Sequence, residues 1–156
     1  LRTTAMLYVI LIAANAFTYF VVLTQIPQGL VELVTSLGFG PVLILIVIGV
    51  FYVILGCFLE AFGMILITVP ILLPVVVQAR YDPIWFGVFL VVIIELGMIT
   101  PPVGMNIFVM QAELTRMPLS RLYQAVLPFL VAPILLAVSL IVAPEVAMFL
   151  PALFFD

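Results

Sequence analysis

The stretch ELGMITPPVGMN, residues 95–106, places an acid, two glycines, a threonine, an asparagine and a proline pair inside a very apolar chain. Pro101 and Pro102 lack a backbone N–H, and their rings clash with the preceding turn of a helix. Thr100, which precedes the pair, is also pushed away from helical angles. The carbonyl groups near residues 97–100 therefore lose their helical partners, and the sequence predicts a helix that is broken in its middle.

The composition indicates what surrounds this break. Of the 156 residues, 68% are hydrophobic and 7% are charged, and the mean hydropathy is +1.55. A soluble domain has about 25% charged residues. Lipid is therefore the expected solvent for most of the chain, and the predicted fold class is an all-α polytopic membrane protein.

Several classes of function are not expected. The chain has no histidine and a single cysteine, Cys57, so it offers no His/Cys metal site, no Ser-His-Asp or Cys-His catalytic set and no internal disulfide. No enzyme activity is expected. A basic patch is also lacking, so nucleic acid is not an expected partner. Because Leu1 is not a start methionine, the chain is interpreted as a piece of a longer protein.

The first predicted segments lead up to a hairpin. Residues 1–25 are long enough to cross a hydrocarbon core of ~30 Å as a helix, and Asn15 at its middle is expected to form an interhelical hydrogen bond. Residues 26–40 are too short to cross, but their apolar residues recur at helical spacing, which predicts an interfacial helix. Residues 41–80 are apolar, with one acid, Glu60, near the middle.

Two arrangements of residues 41–80 fit the sequence. One is a pair of full transmembrane helices joined by a short loop, and the other is a re-entrant hairpin whose tip stays buried. The tip, GCFLEAFG at 56–63, carries two glycines and one acid among bulky apolar residues. Because a loop in water usually carries more polar residues, the buried tip is favoured, and it requires surrounding protein or a cavity.

The last two predicted segments are 81–115 and 116–156. Residues 84–113 would extend about 45 Å as one helix at ~1.5 Å per residue, too long for a straight span. The proline pair divides them into 84–98 and 104–113. The final segment is expected to hold one span, from about 122 to 148, with prolines that mark kinks or interfaces: Pro128, Pro133 and Pro144.

The arginines suggest an orientation. If residues 40 and 80 lie on the same side of the membrane, Arg2, Arg116 and Arg121 share the other side, which is cytoplasmic by the positive-inside bias. Arg80 is then the exception. Two full helices over 41–80 give the same result, so this rule does not discriminate between the two arrangements.

The chemistry of the break predicts a binding site. An unpaired carbonyl in lipid costs several kcal/mol, and a dehydrated Na⁺ is suited to carbonyl and hydroxyl oxygens. Gly97 and Gly104 permit close backbone approach, and Thr100 offers a hydroxyl. The half-helix after Pro102 directs N–H groups back towards the break, which suits an anionic substrate. The alternative is a proline kink whose carbonyls are satisfied by neighbouring helices.

Two acids within the apolar segments, Glu60 and Glu95, are further candidates. Charged groups in membrane spans are costly and are functional hypotheses by default. Protonation, or pairing with an arginine, would instead make either one structural.

Several motifs together resemble the large membrane subunit of TRAP transporters (tripartite ATP-independent periplasmic transporters). They are the P-x-x-x-P at Pro70 and Pro74, DPIWFG at 82–87 and G-x-x-TPPVG-x-N at 97–106, with LRTTA at the start and VLPFL at 126–130. The resemblance covers the whole chain but only the C-terminal half of the family's large subunit.

The resemblance implies an elevator-type secondary transporter built from inverted repeats, of which this chain holds one. The transport domain would contain the re-entrant hairpin, 41–80, and the broken helix, 81–115. The scaffold would contain the transmembrane helices of 1–25 and 116–156, and the interfacial helix of 26–40 would be the arm between the two.

The resemblance also implies Na⁺-coupled import of a carboxylate, such as sialic acid or a C4-dicarboxylate, across the bacterial inner membrane. A periplasmic binding protein would deliver the substrate. A small (Q-type) membrane subunit and the N-terminal half of the large subunit would be the other partners within the lipid bilayer. A receptor-independent divalent-anion/Na⁺ symporter of related elevator fold is the alternative.

On matching positions, the resemblance points to a Na⁺ site formed mostly by backbone carbonyls and the Thr100 hydroxyl. Its residues are Gly56 near the hairpin tip and Gly97, Thr100 and Val103 at the break. The residues proposed for the substrate cavity, or as secondary candidates, are Glu60, Glu95, Pro101, Pro102, Gly104 and Asn106. Glu60 is secondary because the family often carries Asp near this position.

Overall fold

The structure of the protein, a computed structural model, describes residues 2–113 and 117–155. Its helices are α1 (Arg2–Leu23), α2 (Ile26–Ser36), α3 (Pro41–Gly56), α4 (Ala61–Gln78), α5 (Pro83–Ile99), α6 (Met105–Glu113), α7 (Leu119–Val142) and α8 (Glu145–Phe155). Arg116, which contributes to the predicted orientation, lies outside the described residues, as does the side chain of Arg2.

Three segments are long and apolar enough to cross a membrane: Thr4–Leu23, Ala61–Gln78 and Leu119–Val142. Two further apolar helices, Pro41–Gly56 and Pro83–Ile99, are shorter. Large apolar side chains are exposed on most of these helices, for example Ile12 at 69% and Leu135 at 63%. The described residues therefore form a helical protein whose outer surface suits lipid rather than water.

Local sequence signals determine where α5 begins. Asp82 has extended backbone angles, and its Oδ1 atom accepts hydrogen bonds from the N–H groups of Ile84 at 2.7 Å and Trp85 at 3.3 Å. Pro83 occupies the first helical turn, where a missing N–H costs nothing. An N-cap followed by proline thus starts the helix that leads to the break.

The core lies between α3, α4, α5 and α7. Its largest fully buried side chains include Trp85, Tyr52, Phe86 and Phe89. The Trp85 ring stacks on Phe89, with ring centroids 5.2 Å apart, and its Nε1–H donates to the Leu140 carbonyl at 3.2 Å. Leu140 is part of the same buried cluster. This contact joins α5 to α7 through a buried hydrogen bond.

The first two helices lie at the edge of this core. The α2 helix packs against α4, and so does α1. Asn15 is exposed, and its Nδ2 donates to the Leu11 carbonyl of its own helix at 2.8 Å. Among the described residues, the amide of Asn15 thus bonds within its own helix rather than to another helix.

The span expected at about 122–148 corresponds to α7, which begins at Leu119 and ends before Pro144. The α7 helix ends at Val142, and Ala143 has φ −131° and ψ 78°. Because Pro144 disfavours helical angles at the residue before it, the chain turns there and α8 starts at Glu145. The two internal prolines, Pro128 and Pro133, remain within α7.

Candidate functional site

The hairpin formed by α3 and α4 approaches α5 through two glycines. A Cβ atom on Gly56 would lie 3.0 Å from the Cα atom of Gly97, and one on Gly97 would lie 2.9 Å from the Val53 carbonyl oxygen. Only residues without a Cβ atom allow such backbone contact, as at small-residue interfaces between membrane helices. The end of α3 is thereby held against the last turns of α5.

The loop between α3 and α4, residues 57–60, is called the tip loop. Cys57 is buried, and its Sγ lies 3.5 Å from the Thr100 carbonyl oxygen, to which the thiol donates. The N–H groups of Phe58 and Leu59 both donate to the Leu55 carbonyl, at 2.9 and 2.8 Å. The tip loop thus closes on its own helix and contacts the start of the break.

The break itself comprises residues 100–104, between Ile99 and Met105. In an uninterrupted helix, the carbonyls of Gly97 and Met98 would accept from residues 101 and 102, which are prolines and have no N–H. The Gly97 carbonyl accepts instead from the Thr100 N–H at 3.1 Å. The helix therefore stops where the proline sterics predict, with one carbonyl recovered by a tighter turn.

Gly104 lies close to two carbonyl oxygens, one at the end of α5 and one in the break. A Cβ atom there would lie 3.2 Å from the Thr100 carbonyl oxygen and 3.3 Å from that of Met98. Gly104 is buried, with φ +56°, a conformation that suits glycine. Its carbonyl begins the next helix by accepting from the Ile107 N–H at 2.8 Å. Gly104 thus leaves room for two carbonyl oxygens on the same side of the break.

The Thr100 hydroxyl faces back along α5. It donates to the Leu96 carbonyl, one turn earlier. A hydroxyl has one proton and two lone pairs, so Thr100 Oγ1 keeps the capacity to accept from a donor or to bind a cation.

The other end of the break is held by α7. The Tyr123 hydroxyl lies 2.7 Å from the Pro102 carbonyl oxygen and 2.9 Å from that of Val103, and its single proton is shared between these two acceptors. Val103 is half-buried, whereas Pro101 and Pro102 are exposed. This contact pairs the carbonyl of Val103, a residue that the family resemblance names as a candidate Na⁺ ligand.

Glu60 is exposed and caps α4. Its Oε1 accepts from the Phe62 N–H at 2.7 Å and its Oε2 from the Gly63 N–H at 3.1 Å. These bonds satisfy two of the donors that a helix start leaves unpaired, and the negative charge lies at the favourable end of the helix dipole. The cap is a sufficient physical reason for an acid at this position.

Glu95 and Asn106 face each other across the break. Asn106 Nδ2 lies 3.4 Å from Glu95 Oε1, a long hydrogen bond that connects α5 to α6. Glu95 is exposed and Asn106 is partly buried. The two polar side chains therefore flank the break in sequence and contact each other across it.

The structure thus brings Gly56, Gly97 and Thr100 together, with Gly104 next to Thr100. The Val103 carbonyl is held by Tyr123 instead. Among the described residues, no group of three or more His, Cys, Asp or Glu side chains lies close enough to hold a metal. A cation at this site would therefore depend on carbonyl and hydroxyl oxygens.

Sequence reasoning did not single out Met98 or Tyr123. The first had a signal, because Pro102 removes the N–H that the Met98 carbonyl would accept. The second had none, because its partners lie 20 and 21 residues earlier in the chain.

The family model and the relatives that match this chain all belong to one family of transporters. The family model described as "Tripartite ATP-independent periplasmic transporter, DctM component" matches residues 1–146. The chain is 38% identical over 150 residues to the C4-dicarboxylate TRAP transporter large permease protein DctM of Pseudomonas aeruginosa, covering 96% of this chain and 35% of that protein.

Two other relatives carry different substrate names. The chain is 32% identical over 154 residues to the sialic acid TRAP transporter large permease protein SiaM of Vibrio cholerae, covering 98% of this chain and 36% of that protein. It is 35% identical over 149 residues to the isethionate TRAP transporter permease protein DctMQ of Oleidesulfovibrio alaskensis, covering 94% of this chain and 23% of that protein. The chain spans about a third of the length of the large permease relatives.

Proposed function

The chain belongs to the large permease family of TRAP transporters, and from this membership we propose that it forms the C-terminal part of a Na⁺-coupled importer of carboxylates. The relatives are transporter permeases rather than enzymes. Those named for C4-dicarboxylate and sialic acid transport suggest these two substrate classes.

The observation that carries the proposal is the contact of the tip loop with the helix break. Gly56 lies against Gly97, and the Cys57 thiol lies against the Thr100 carbonyl. Irregular backbone at membrane depth is tolerated where it is buried in protein or lines a cavity. Two such segments in contact are the arrangement in which secondary transporters bind their coupling ions.

The proposed Na⁺ ligands are backbone carbonyls at the tip and break together with the Thr100 hydroxyl. The candidates remain Gly56, Gly97, Thr100 and Val103. The Met98 carbonyl is a fifth, because its partner in a continuous helix would be Pro102, which has no N–H. A bound Na⁺ would supply positive charge next to the start of α6. Leu96 and Cys57 would orient the Thr100 hydroxyl and carbonyl.

The proposed substrate face lies at Pro101, Pro102, Asn106 and Glu95. The N-terminus of α6 carries a partial positive charge, which favours a carboxylate. Asn106 would donate to the substrate, and Glu95 would orient its amide through their hydrogen bond. The remaining contacts would come from the N-terminal part of the large subunit.

Transport is proposed to follow an elevator mechanism, with a re-entrant hairpin of α3 and α4 and the broken helix α5–α6 in the moving domain. The family resemblance implies that residues 116–156 belong to the scaffold. The buried Trp85–Leu140 hydrogen bond and the shared core favour a different assignment, with α7 moving together with α5. The α1 helix would belong to the scaffold and α2 would be the arm.

The proposed partners are a periplasmic substrate-binding protein and a small membrane subunit, which in some relatives would be fused, as the name DctMQ suggests. The proposed location is the bacterial inner membrane, because a periplasmic receptor must reach the outer face of the permease.

The test uses the complete permease with its small subunit, reconstituted in proteoliposomes. Uptake of radiolabelled succinate and of sialic acid is measured with and without the purified receptor, under an inward Na⁺ or K⁺ gradient. The proposal expects saturable uptake of one of the two only when both receptor and Na⁺ are present.

Two outcomes would contradict it. Uptake that persists without receptor would indicate a receptor-independent anion/Na⁺ symporter. Equal uptake under Na⁺ and K⁺ gradients would exclude Na⁺ coupling and with it the proposed ion site.

A further inference from the structure

An apolar cavity of about 310 Å³ lies between α2 and the hairpin of α3 and α4. Side chains of all three helices line it, among them Leu30, Val34, Val47, Phe51, Ile71 and Leu72. Its volume is at the lower end of the ~300–1,000 Å³ typical of small-molecule sites. An elongated hydrocarbon fits such a lining, since it needs no polar partner.

A second cavity of about 300 Å³ adjoins the first, because both are lined by Val34, Phe39, Ile44 and Val75. The second differs in chemistry: Thr35, Gln78 and Arg80 also line it. The two together form a groove that is apolar along one part and polar, with one positive charge, at the other. This part lies at the start of α3 and the end of α4, opposite the tip loop.

We propose that this groove binds one phospholipid, with an acyl chain between α2 and the hairpin and its phosphate at Arg80. A guanidinium binds phosphate oxygens through two parallel N–H donors. Basic pockets between membrane helices bind anionic lipid headgroups in this way. The site is separate from the tip–break contact and does not depend on which substrate is carried.

Arg80 is well placed to bind an anion. The residue is exposed, with φ 67°. Its backbone N–H donates to the Val77 carbonyl at 2.9 Å, which fixes the backbone at the end of α4. The neighbouring carboxylate in the chain, Asp82, accepts from the N–H groups of Ile84 and Trp85. Arg80 thus lines the polar part of the groove, while the nearby acid serves as a helix cap.

The start of α3 adds to the positive potential at the same end. Its N-cap, Gly40, forms no side-chain cap, and Pro41 lines the polar cavity. The first N–H groups of α3 thus keep their partial positive charge next to the proposed phosphate.

A phospholipid explains the groove better than a soluble anion does. A small anion would occupy the polar part and leave the apolar part empty, whereas a lipid fills both. The bound chain would occupy space between α2 and α3–α4, so lipid binding would influence how the arm helix is held against the hairpin.

The test measures lipid binding by the complete permease complex. Native mass spectrometry in mild detergent follows titration with 1-palmitoyl-2-oleoyl-phosphatidylglycerol. Arg80→Gln removes the charge, and we expect about tenfold weaker binding at one site, as for loss of a charge-assisted hydrogen bond. Arg80→Lys keeps the charge and should retain part of the affinity.

A second pair of variants tests the apolar part. Val47→Trp fills the cavity and should reduce binding at the same site, whereas Val50→Trp is the control. Val50 lies on the same helix with similar exposure, 55% against 51%, and does not line the cavity. A lipid with a diazirine-labelled acyl chain should crosslink to α2, α3 or α4.

Three results would overturn the proposal. Unchanged lipid binding in both Arg80→Gln and Val47→Trp would exclude this groove. Full competition by inorganic phosphate, with no effect of Val47→Trp, would indicate a soluble-anion site. Crosslinks absent from α2–α4 would mean that another protein segment covers the groove.

Discussion

Gly56 and Gly97 meet backbone to backbone, such that a Cβ atom added to Gly56 would lie 3.0 Å from the Cα atom of Gly97. The contact joins the end of the first hairpin helix to the last turns before the helix break. Any side chain at either position would separate the tip loop from the break. The proposed ion site therefore depends on two positions that contribute no side chain.

Gly97→Ala is expected to destabilise the protein. The new Cβ would lie 2.9 Å from the Val53 carbonyl oxygen, and backbone must move to accept it. Such overpacking costs ~1–3 kcal/mol, more than the ~0.5–1 kcal/mol that alanine gains over glycine in a helix. Thermal unfolding of the purified permease complex should show a lower midpoint, and Na⁺-driven uptake should fall.

Gly87→Ala is the matched control on the same helix. A Cβ atom there meets nothing within 4 Å, so its stability should be unchanged or slightly raised. Equal stability of the Gly87→Ala and Gly97→Ala variants would mean that the close approach of α3 and α5 is not present in solution.

Thr100→Ala is expected to weaken the Na⁺ response more than expression. Loss of the hydroxyl removes one proposed ligand, and a tenfold rise in the half-saturating Na⁺ concentration corresponds to about 1.4 kcal/mol. Thr100→Ser keeps the hydroxyl and should stay near wild type. The measurement is uptake in proteoliposomes as a function of Na⁺ concentration.

Thr24→Ala provides the comparison for this experiment. Its hydroxyl also donates to a carbonyl of its own helix, that of Val21 at 2.9 Å, but it lies at the end of α1. An unchanged Na⁺ response in Thr100→Ala, or an equal rise in Thr24→Ala, would remove Thr100 from the proposed site.

Glu60 is expected to act as a helix cap. Glu60→Ala removes the acceptor for the N–H groups of Phe62 and Gly63 and should cost about 1 kcal/mol of stability. Glu60→Gln keeps an acceptor oxygen and should lose less. Comparing thermal unfolding and uptake separates the roles: if Glu60→Gln abolishes uptake at full stability, the carboxylate has a direct function in transport.

Features that depend on residues within one helical turn could be predicted from the sequence, whereas contacts between distant helices could not. The break at Pro101 and Pro102 was predictable because proline sterics act within one helical turn. The Gly56–Gly97 contact was expected only through family resemblance, since composition and periodicity do not specify which helices meet. Pro144 was expected to mark a kink or an interface, and the helix ends just before it because the residue before a proline tends to leave the helix.

The side-chain roles were harder to predict. Glu60 looked like a possible ligand because an acid in an apolar run is costly, yet its start-of-helix position gives it a structural use. Tyr123 gave no sequence signal, because the significance of its hydroxyl depends on the packing of α7 against the break. The Nδ2 of Asn15 bonds to a carbonyl of α1, and a sequence pattern does not distinguish such a bond from an interhelical one.

Tyr123→Phe is expected to loosen the break. The variant keeps the ring but removes the donor to the Pro102 and Val103 carbonyls, at 2.7 and 2.9 Å. Loss of a hydrogen bond at this partly exposed site costs ~0.5–1.5 kcal/mol, so the thermal midpoint should fall. Because Val103 is a proposed Na⁺ ligand, the half-saturating Na⁺ concentration should also change.

Tyr19→Phe is the control, since Tyr19 is 68% exposed on α1 and its loss of a hydroxyl should leave both measurements unchanged. Two results with Tyr123→Phe have separate meanings. A lower stability with an unchanged Na⁺ response would make the Tyr123 contact purely structural and remove Val103 from the ion site. A wild-type thermal midpoint together with a wild-type Na⁺ response would show that the hydroxyl does not hold the break.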